Sequence, residues 1–234
     1  ENIKILDCTF RDGGYYTNWV FDEEILNDYL KLSDTGICDI VEIGLRTIVS
    51  SSYLGPFAYT SFDYFSNCRE YKNIEFSTLV NWSDIANSFQ DFVQLFPGVD
   101  LDFVSIVRIV IKSLDISEVK EYISILKARG YKVCLNIQNC GQLFSADKEY
   151  VNEKISFLNP DIVYLADTNG CLNPKQTGNL IELIASLIDK PIGVHLHNNQ
   201  GLAYANALQA IESGASYIDS TLTGIGRGAG NTQT

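Results

Sequence analysis

The chain has two histidines among 234 residues, and they stand two apart, in Gly193-Val194-His195-Leu196-His197-Asn198-Asn199. On a β-strand, side chains alternate faces, so His195 and His197 would point one way and Val194 and Leu196 the other. A pair of hydrogen-bonded core imidazoles is the plain alternative, but two neighbouring buried rings need two sets of polar partners. Shared coordination of a metal ion gives the pair a use, since neutral imidazole is a common ligand. A second element is Asp7-Cys8-Thr9-Phe10-Arg11-Asp12-Gly13-Gly14, at the end of the first apolar run. Asp7 and Thr9 would share a strand face, with Arg11 and Asp12 reaching into the loop above it. Alone, an Arg-Asp pair reads as a surface ion pair of small worth. A third element is Glu42 inside apolar Ile40-Val41-Glu42-Ile43-Gly44, where a buried carboxylate needs a partner and Arg11 is the candidate. The fourth, Gly224-Ile225-Gly226-Arg227-Gly228-Ala229-Gly230-Asn231, suggests by itself a phosphate-cradling loop. As a dinucleotide fingerprint it is weak, because it follows the last strand and opens no βαβ unit.

These residues must be positioned by the elements around them. Short β-branched runs at Ile3–Phe10, Ile40–Leu45, Ile74–Val80, Phe103–Ile111, Lys132–Ile137, Ile162–Ala166, Ile192–His197 and Tyr217–Leu222 recur about every 25 to 35 residues, the spacing of repeated βα units. Between them lie seven helical stretches. Ile116, Val119, Tyr122, Ile123 and Leu126 make one apolar face, and Gly130 supplies a stop after it. Asp22 reads as an N-cap, with Ile25, Leu26, Tyr29 and Leu30 facing inward, and Leu180–Ile188 carries another buried face. The pattern predicts an α/β fold, a (β/α)8 TIM barrel in one domain over residues 1–234. A doubly wound sheet would want a Gly-rich first turn, and Arg11-Asp12-Gly13-Gly14 does not match one. The sequence stops just after the eighth strand, so the final helix is expected to lie in a continuation. Uncovered apolar surface at that end would favour a homo-oligomer. In a barrel the two imidazoles would face the interior near the C-terminal rim, where such folds place their chemistry.

Composition narrows the partners. The formal charge is −12, from 29 acids and 17 bases, which argues against a nucleic-acid surface and suggests no polybasic membrane patch. No apolar run approaches a membrane span, and the chain opens on Glu1-Asn2 without a signal sequence. Six scattered cysteines (Cys8, Cys38, Cys68, Cys134, Cys140, Cys171) form no C-x-x-C pair. They read as reduced, mostly core residues of a cytoplasmic protein, and a zinc cluster is not expected. The chain has no methionine, where one of this length ordinarily carries several.

Five motifs in order give the chain a family likeness: Thr9-Phe10-Arg11-Asp12-Gly13, Val41-Glu42-Ile43-Gly44, Ala166-Asp167-Thr168-Asn169-Gly170, His195-Leu196-His197-Asn198-Asn199 and Gly226-Arg227-Gly228-Ala229-Gly230-Asn231. It resembles the DRE-TIM metallolyase superfamily, the group of HMG-CoA lyase and the isopropylmalate and homocitrate synthases, and within it the 4-hydroxy-2-oxovalerate aldolase-like catalytic domains. The resemblance implies that Asp12, His195 and His197 bind a divalent metal, with Asn231 as a further ligand, and that Arg11 is catalytic and positioned by Glu42. The implied metal is Mn²⁺ or Mg²⁺, with Zn²⁺ also compatible with the donors. The implied reaction cleaves or forms a C–C bond of a small 2-oxo acid through an enolate whose charge the metal and Arg11 stabilise. One departure stands out. The aldolases of this group carry a base histidine shortly after R-D-G, and here Gly14-Tyr15-Tyr16 fills that stretch. Tyr15 or Tyr16 would then act as base, orient a water or hold the substrate hydroxyl. Two other readings are a Claisen-type carboligase joining an acyl-CoA to a 2-oxo acid and a catalytically silent metal-binding barrel serving as a partner subunit.

Overall fold

Apolar segments of period two become eight parallel strands: β1 (Lys4–Asp7), β2 (Ile40–Leu45), β3 (Glu75–Asn81), β4 (Ile106–Ile111), β5 (Lys132–Ile137), β6 (Ile162–Asp167), β7 (Ile192–Leu196) and β8 (Tyr217–Ser220). They close in sequence order, with β1 returning to β8 through the pairs Lys4–Tyr217 to Asp7–Ser220. The structure is a computed structural model that describes residues 3–48, 52–61 and 63–234, so Glu1 and Asn2 lie outside it. Around the barrel run α1 (Thr9–Thr17), α2 (Glu23–Leu32), α3 (Trp82–Ile85), α4 (Phe89–Leu95), α5 (Val119–Ala128), α6 (Lys148–Leu158), α7 (Pro174–Leu187) and α8 (Ala203–Glu212). The result is the (β/α)8 barrel that the alternation predicts. No helix among the described residues is long and apolar enough to cross a membrane.

Local chemistry accounts for most boundaries. The Asp22 carboxylate accepts from Glu24 N at the start of α2. Asn173 and Gln176 form a reciprocal capping box at α7, with Pro174 in the first turn. Gly130, at φ +87°, follows α5 in the left-handed conformation that a helix stop requires. Three expectations need correction. The first strand was expected to run to Phe10, but Asp7 Oδ1 accepts from Thr9 N at 2.9 Å and the chain turns into α1, so Asp7 and Thr9 share no strand face. Ile25 is exposed, because the buried face of α2 is Leu26, Tyr29 and Leu30 alone. Between β2 and β3 the described residues form 3-10 turns, Pro56–Ala58 and Ser66–Glu70, in place of an α-helix. That connection is held instead by buried Arg46, which donates to Thr60 O at 3.0 Å and to Asp102 at 2.6 Å.

Strand parity splits the core in two. Val41, Ile43, Val107, Ile109, Val133 and Leu135 face outward to the helices, as do Val163, Leu165 and Val194 on the far side. Their alternates Leu6, Ile40, Ile106, Cys134, Ile162 and Tyr164 plug the lower barrel. One step higher, on β2, β4 and β8, the interior holds buried charge: Glu42 above Ile40, Arg108 above Ile106 and Asp219 above Tyr217. All six cysteines are free, with Cys171 the exposed one. Burial pushes the thiols of Cys38, Cys68 and Cys134 up to about 12, which fits inert core residues.

Candidate active site

β7 delivers the histidine pair. Its parity puts Val194 and Leu196 into the outer core, and the rings of His195 and His197 meet edge-on with centroids 4.9 Å apart. α1 delivers Arg11 and Asp12 from the first turn of a helix, not from a loop as the sequence suggested. Trp19 Nε1 donates to Arg11 O at 3.0 Å and so fastens the far end of that helix to the residue that matters. The loop after β8 folds back over the rim, where Asn198 N donates to Gly230 O at 2.8 Å and Asn231 bridges to His197. Asn231 Nδ2 also donates to Asp12 Oδ2.

These side chains belong to a closed circuit of buried charge. Arg11 Nε donates to Glu42 Oε1 at 2.7 Å, and Arg108 Nη1 to Glu42 Oε2 at 3.0 Å. Arg108 Nη2 reaches Asp219 Oδ2 at 2.6 Å, and the same oxygen lies 2.9 Å from His195 Nδ1. His195 Nε2 stands 3.8 Å from Asp12 Oδ2, and Arg11 Nη1 closes the circuit on Asp12 Oδ1 at 2.6 Å. Three carboxylates face two guanidiniums, so the circuit carries one negative charge in excess. Burial alone would raise the Asp12 carboxyl, but Arg11 and then His195 hold it at about 2. Asp219 is also held below the carboxylate range, where the Arg108 guanidinium and the His195 hydrogen bond overcome burial. An ionised carboxylate only accepts, so His195 Nδ1 carries a proton and donates to Asp219 Oδ2, which leaves Nε2 as the ring nitrogen facing Asp12. Burial, then the neighbouring His195, lowers His197 to about 4, which keeps it neutral at physiological pH.

The donor set fits a divalent cation. Ligand atoms of Asp12, His195 and His197 lie within 4.8 Å of one another, and buried Asn231 Oδ1 has no hydrogen-bond partner. Two imidazole nitrogens, an ionised carboxylate and excess negative charge are what such an ion requires. Ligand atoms of Cys8, His195 and Asp219 also lie within 4.8 Å of one another. This second cluster is the poorer site, because burial pushes the Cys8 thiol well up and Asp219 is already bonded to Arg108 and His195. The first cluster opens on a cavity of about 280 Å³ at the C-terminal rim, lined by Arg11, Asp12, Tyr15, His195 and His197 and by Arg227 of the last loop.

Of the residues predicted from sequence, Arg11, Asp12, Tyr15, His195 and His197 reach this cavity, and Asn231 touches it through Asp12. Glu42 lies beneath the cavity and bonds Arg11 as expected. Tyr16 does not line the cavity. It is 60% exposed, and its hydroxyl donates to Gly228 O at 2.9 Å, which ties α1 to the last loop. Arg108 and Asp219 were not anticipated. The signal was present, since each is a charge at an inward position of an apolar strand, the pattern that singled out Glu42.

Known proteins resemble this chain in sequence and in fold. The HMGL-like family model matches residues 110–234. The chain is 28% identical over 233 residues to an oxaloacetate decarboxylase from Mycobacterium tuberculosis, covering 98% of this chain and 67% of that protein. It is also 28% identical to a 4-hydroxy-2-oxovalerate aldolase from Carboxydothermus hydrogenoformans, covering 100% of this chain and 69% of that protein. Among solved structures, the N-terminal domain of a proposed aldolase from Bacteroides vulgatus superposes with a TM-score of 0.86 at 29% identity, over 99% of this chain and 77% of that one. With the family model matched over more than half its length, the chain belongs to the HMGL-like family and is a metal-dependent lyase.

Proposed function

We propose that this barrel breaks or forms a C–C bond adjoining the carbonyl of a small 2-oxo acid, with Mn²⁺ or Mg²⁺ as its cation. The observation that carries the reading is the Asp12–His195–His197 cluster on the floor of a cavity that also holds Arg11. A divalent cation held there, with Asn231 as a further donor, supplies Lewis-acid charge beside the 2-oxo group. Arg11 is fixed on two sides, Nε on Glu42 and Nη1 on Asp12, while its Nη2 makes no hydrogen bond among the described residues. That remaining edge donates to the carbonyl oxygen on which negative charge gathers as the bond breaks. Glu42 sets the plane of the guanidinium from below and is a positioning residue. Tyr15 is the one phenol in the cavity wall. In the cleavage (retro-aldol) direction it takes the proton of the substrate hydroxyl as the C–C bond breaks and the new carbonyl forms, at the place where related aldolases use histidine.

The replacement of that histidine favours a second reading, loss of CO2 from a 2-oxo diacid. Decarboxylation needs the same electron sink at the carbonyl but no base to take a hydroxyl proton. The name of the M. tuberculosis relative describes such a reaction. One measurement tests the shared step. Exchange of the C3 protons of 2-oxo acids into D2O, followed by NMR with Mn²⁺ present, reports charge placed on the carbonyl whatever the partner product. Exchange should occur in the wild type and vanish in His195→Ala and Arg11→Ala. Cation bound without exchange of any 2-oxo acid would remove the reading.

A further inference from the structure

Arg227 is the cavity residue that the proposed reaction leaves without a task. It sits in the loop after β8 and forms no salt bridge with any described carboxylate, whereas buried Arg11, Arg46 and Arg108 are each bonded to one. Its guanidinium carbon lies 5.2 Å from the centroid of the Tyr15 ring. Stacking of this kind holds the plane of the group and leaves its edge donors available. The loop that carries it is fastened on both sides, by Tyr16 Oη on Gly228 O and by Asn231 on Asp12, with Asn231 N also donating to Gly224 O at 3.0 Å. The backbone N–H groups of Arg227 and Gly228 likewise make no hydrogen bond among the described residues. The Arg227 guanidinium therefore borders a cavity whose single lining carboxylate among the described residues, Asp12, is already paired with Arg11.

The remaining wall agrees with this. Asn81, Asn136, Gln138, Thr168, Asn169 and Asn199 line the cavity, and its aliphatic side is limited to Leu79, Val110 and Ala166. A substrate ending in a methyl or an acyl chain would leave those amides and the guanidinium unmatched, at a cost in binding. The molecule as a whole carries a charge of −12, which repels anions, so a cation on the wall of this cavity is a local reversal of the general field.

We infer that Arg227 is a specificity-determining residue that recognises a second anionic group, a carboxylate or phosphoryl, at the far end of the 2-oxo acid. The substrate is thus at least a dianion, with its 2-oxo acid end at the Asp12–His195–His197 cluster and its second anion on Arg227. This rests on the reading of that cluster given above. Arg227 is exposed, stacks on the Tyr15 ring and makes no ion pair among the described residues, so its replacement leaves the core intact.

Isothermal titration of the full chain loaded with Mn²⁺ tests it, with three probes: 2-oxobutyrate, 2-oxoglutarate for a carboxylate and phosphonopyruvate for a phosphoryl group. One of the two dianions should bind about tenfold or more tighter than 2-oxobutyrate, as a charge-assisted hydrogen bond allows, and which one does so identifies the anion. Arg227→Gln should reduce that preference about tenfold, and Arg227→Lys should retain part of it. Equal binding of all three probes by the wild type overturns the inference alone, as does a preference that survives in Arg227→Gln. Failure of every probe to bind, 2-oxobutyrate included, overturns the reading of the cation site and the inference with it.

Discussion

The Asp219 carboxylate accepts from Arg108 at 2.6 Å and from His195 Nδ1 at 2.9 Å, and both bonds bear on what His195 can do. The first keeps the carboxylate ionised inside the barrel. The second fixes the imidazole tautomer and turns Nε2 toward Asp12. A carboxylate behind a ligating histidine commonly contributes about 10–100-fold to metal affinity. Asp219→Asn should therefore weaken Mn²⁺ binding by about that factor, read by competition with a chelating indicator. Unchanged affinity in a folded variant would mean that Asp219 serves Arg108 only. Glu42 was legible from sequence because it interrupts an apolar strand, and Asp12 and the histidines because their types and spacing match a ligand set. Arg108 interrupts an apolar strand in the same way, between Val107 and Ile109, but nothing local says that its parity matches Glu42 across the barrel. The partnership of Arg108, Glu42 and Asp219 depends on closure of the sheet, which brings residues 66 and 111 positions apart into contact.

At the scale of elements, α1 is the part least visible in the sequence. Two consecutive glycines in Thr9-Phe10-Arg11-Asp12-Gly13-Gly14 read as a turn, because glycine costs about 1 kcal/mol per residue in a helix relative to alanine. Packing overrides that preference. A β-carbon on Gly14 would overlap the Trp19 indole, and one on Gly13 would press Ile225 of the last loop at 3.2 Å. Glycine at both places lets Trp19 lie against the helix and donate to Arg11 O. Gly14→Ala should thus be destabilising by about 1–3 kcal/mol, as overpacking is, although alanine is the better helix former. Urea denaturation measures the change. Fluorescence in a Trp82→Phe background, where Trp19 is the remaining indole, should shift to longer wavelength as the ring leaves its buried place. A stabilised Gly14→Ala would show that Trp19 repacks freely and that the glycine is not needed for its contact. The strands, by contrast, were legible almost throughout, since period-two alternation over four to seven residues survives without tertiary information. Their ends were less so, because Asp7 ends β1 through a side-chain bond to Thr9 N that periodicity does not encode.

For the whole molecule, the barrel closes around charge where many barrels close around branched aliphatic layers. Three carboxylates and two guanidiniums lie buried in one circuit, with an unmatched oxygen on both Asp219 and Asn231. Without a cation the excess charge is a standing liability to the folded state, since an uncompensated buried charge is costly. The unfolded chain has no preformed cluster and binds the ion weakly, so the ion's binding energy appears as folding stability. At a free concentration one hundred times the dissociation constant, the stabilisation is about 2.7 kcal/mol. For a chain of this size that corresponds to a rise in Tm of about 5–10 °C. Protein stripped with EDTA and melted with and without Mn²⁺ should show this rise, growing with the logarithm of free metal once the site is saturated. His197→Ala removes a proposed ligand and should abolish the Mn²⁺ dependence while the stripped variant still melts cooperatively. A melting temperature indifferent to Mn²⁺, Mg²⁺ and Zn²⁺ in the wild type would mean that the circuit is balanced by its own hydrogen bonds and that the cluster is not a cation site.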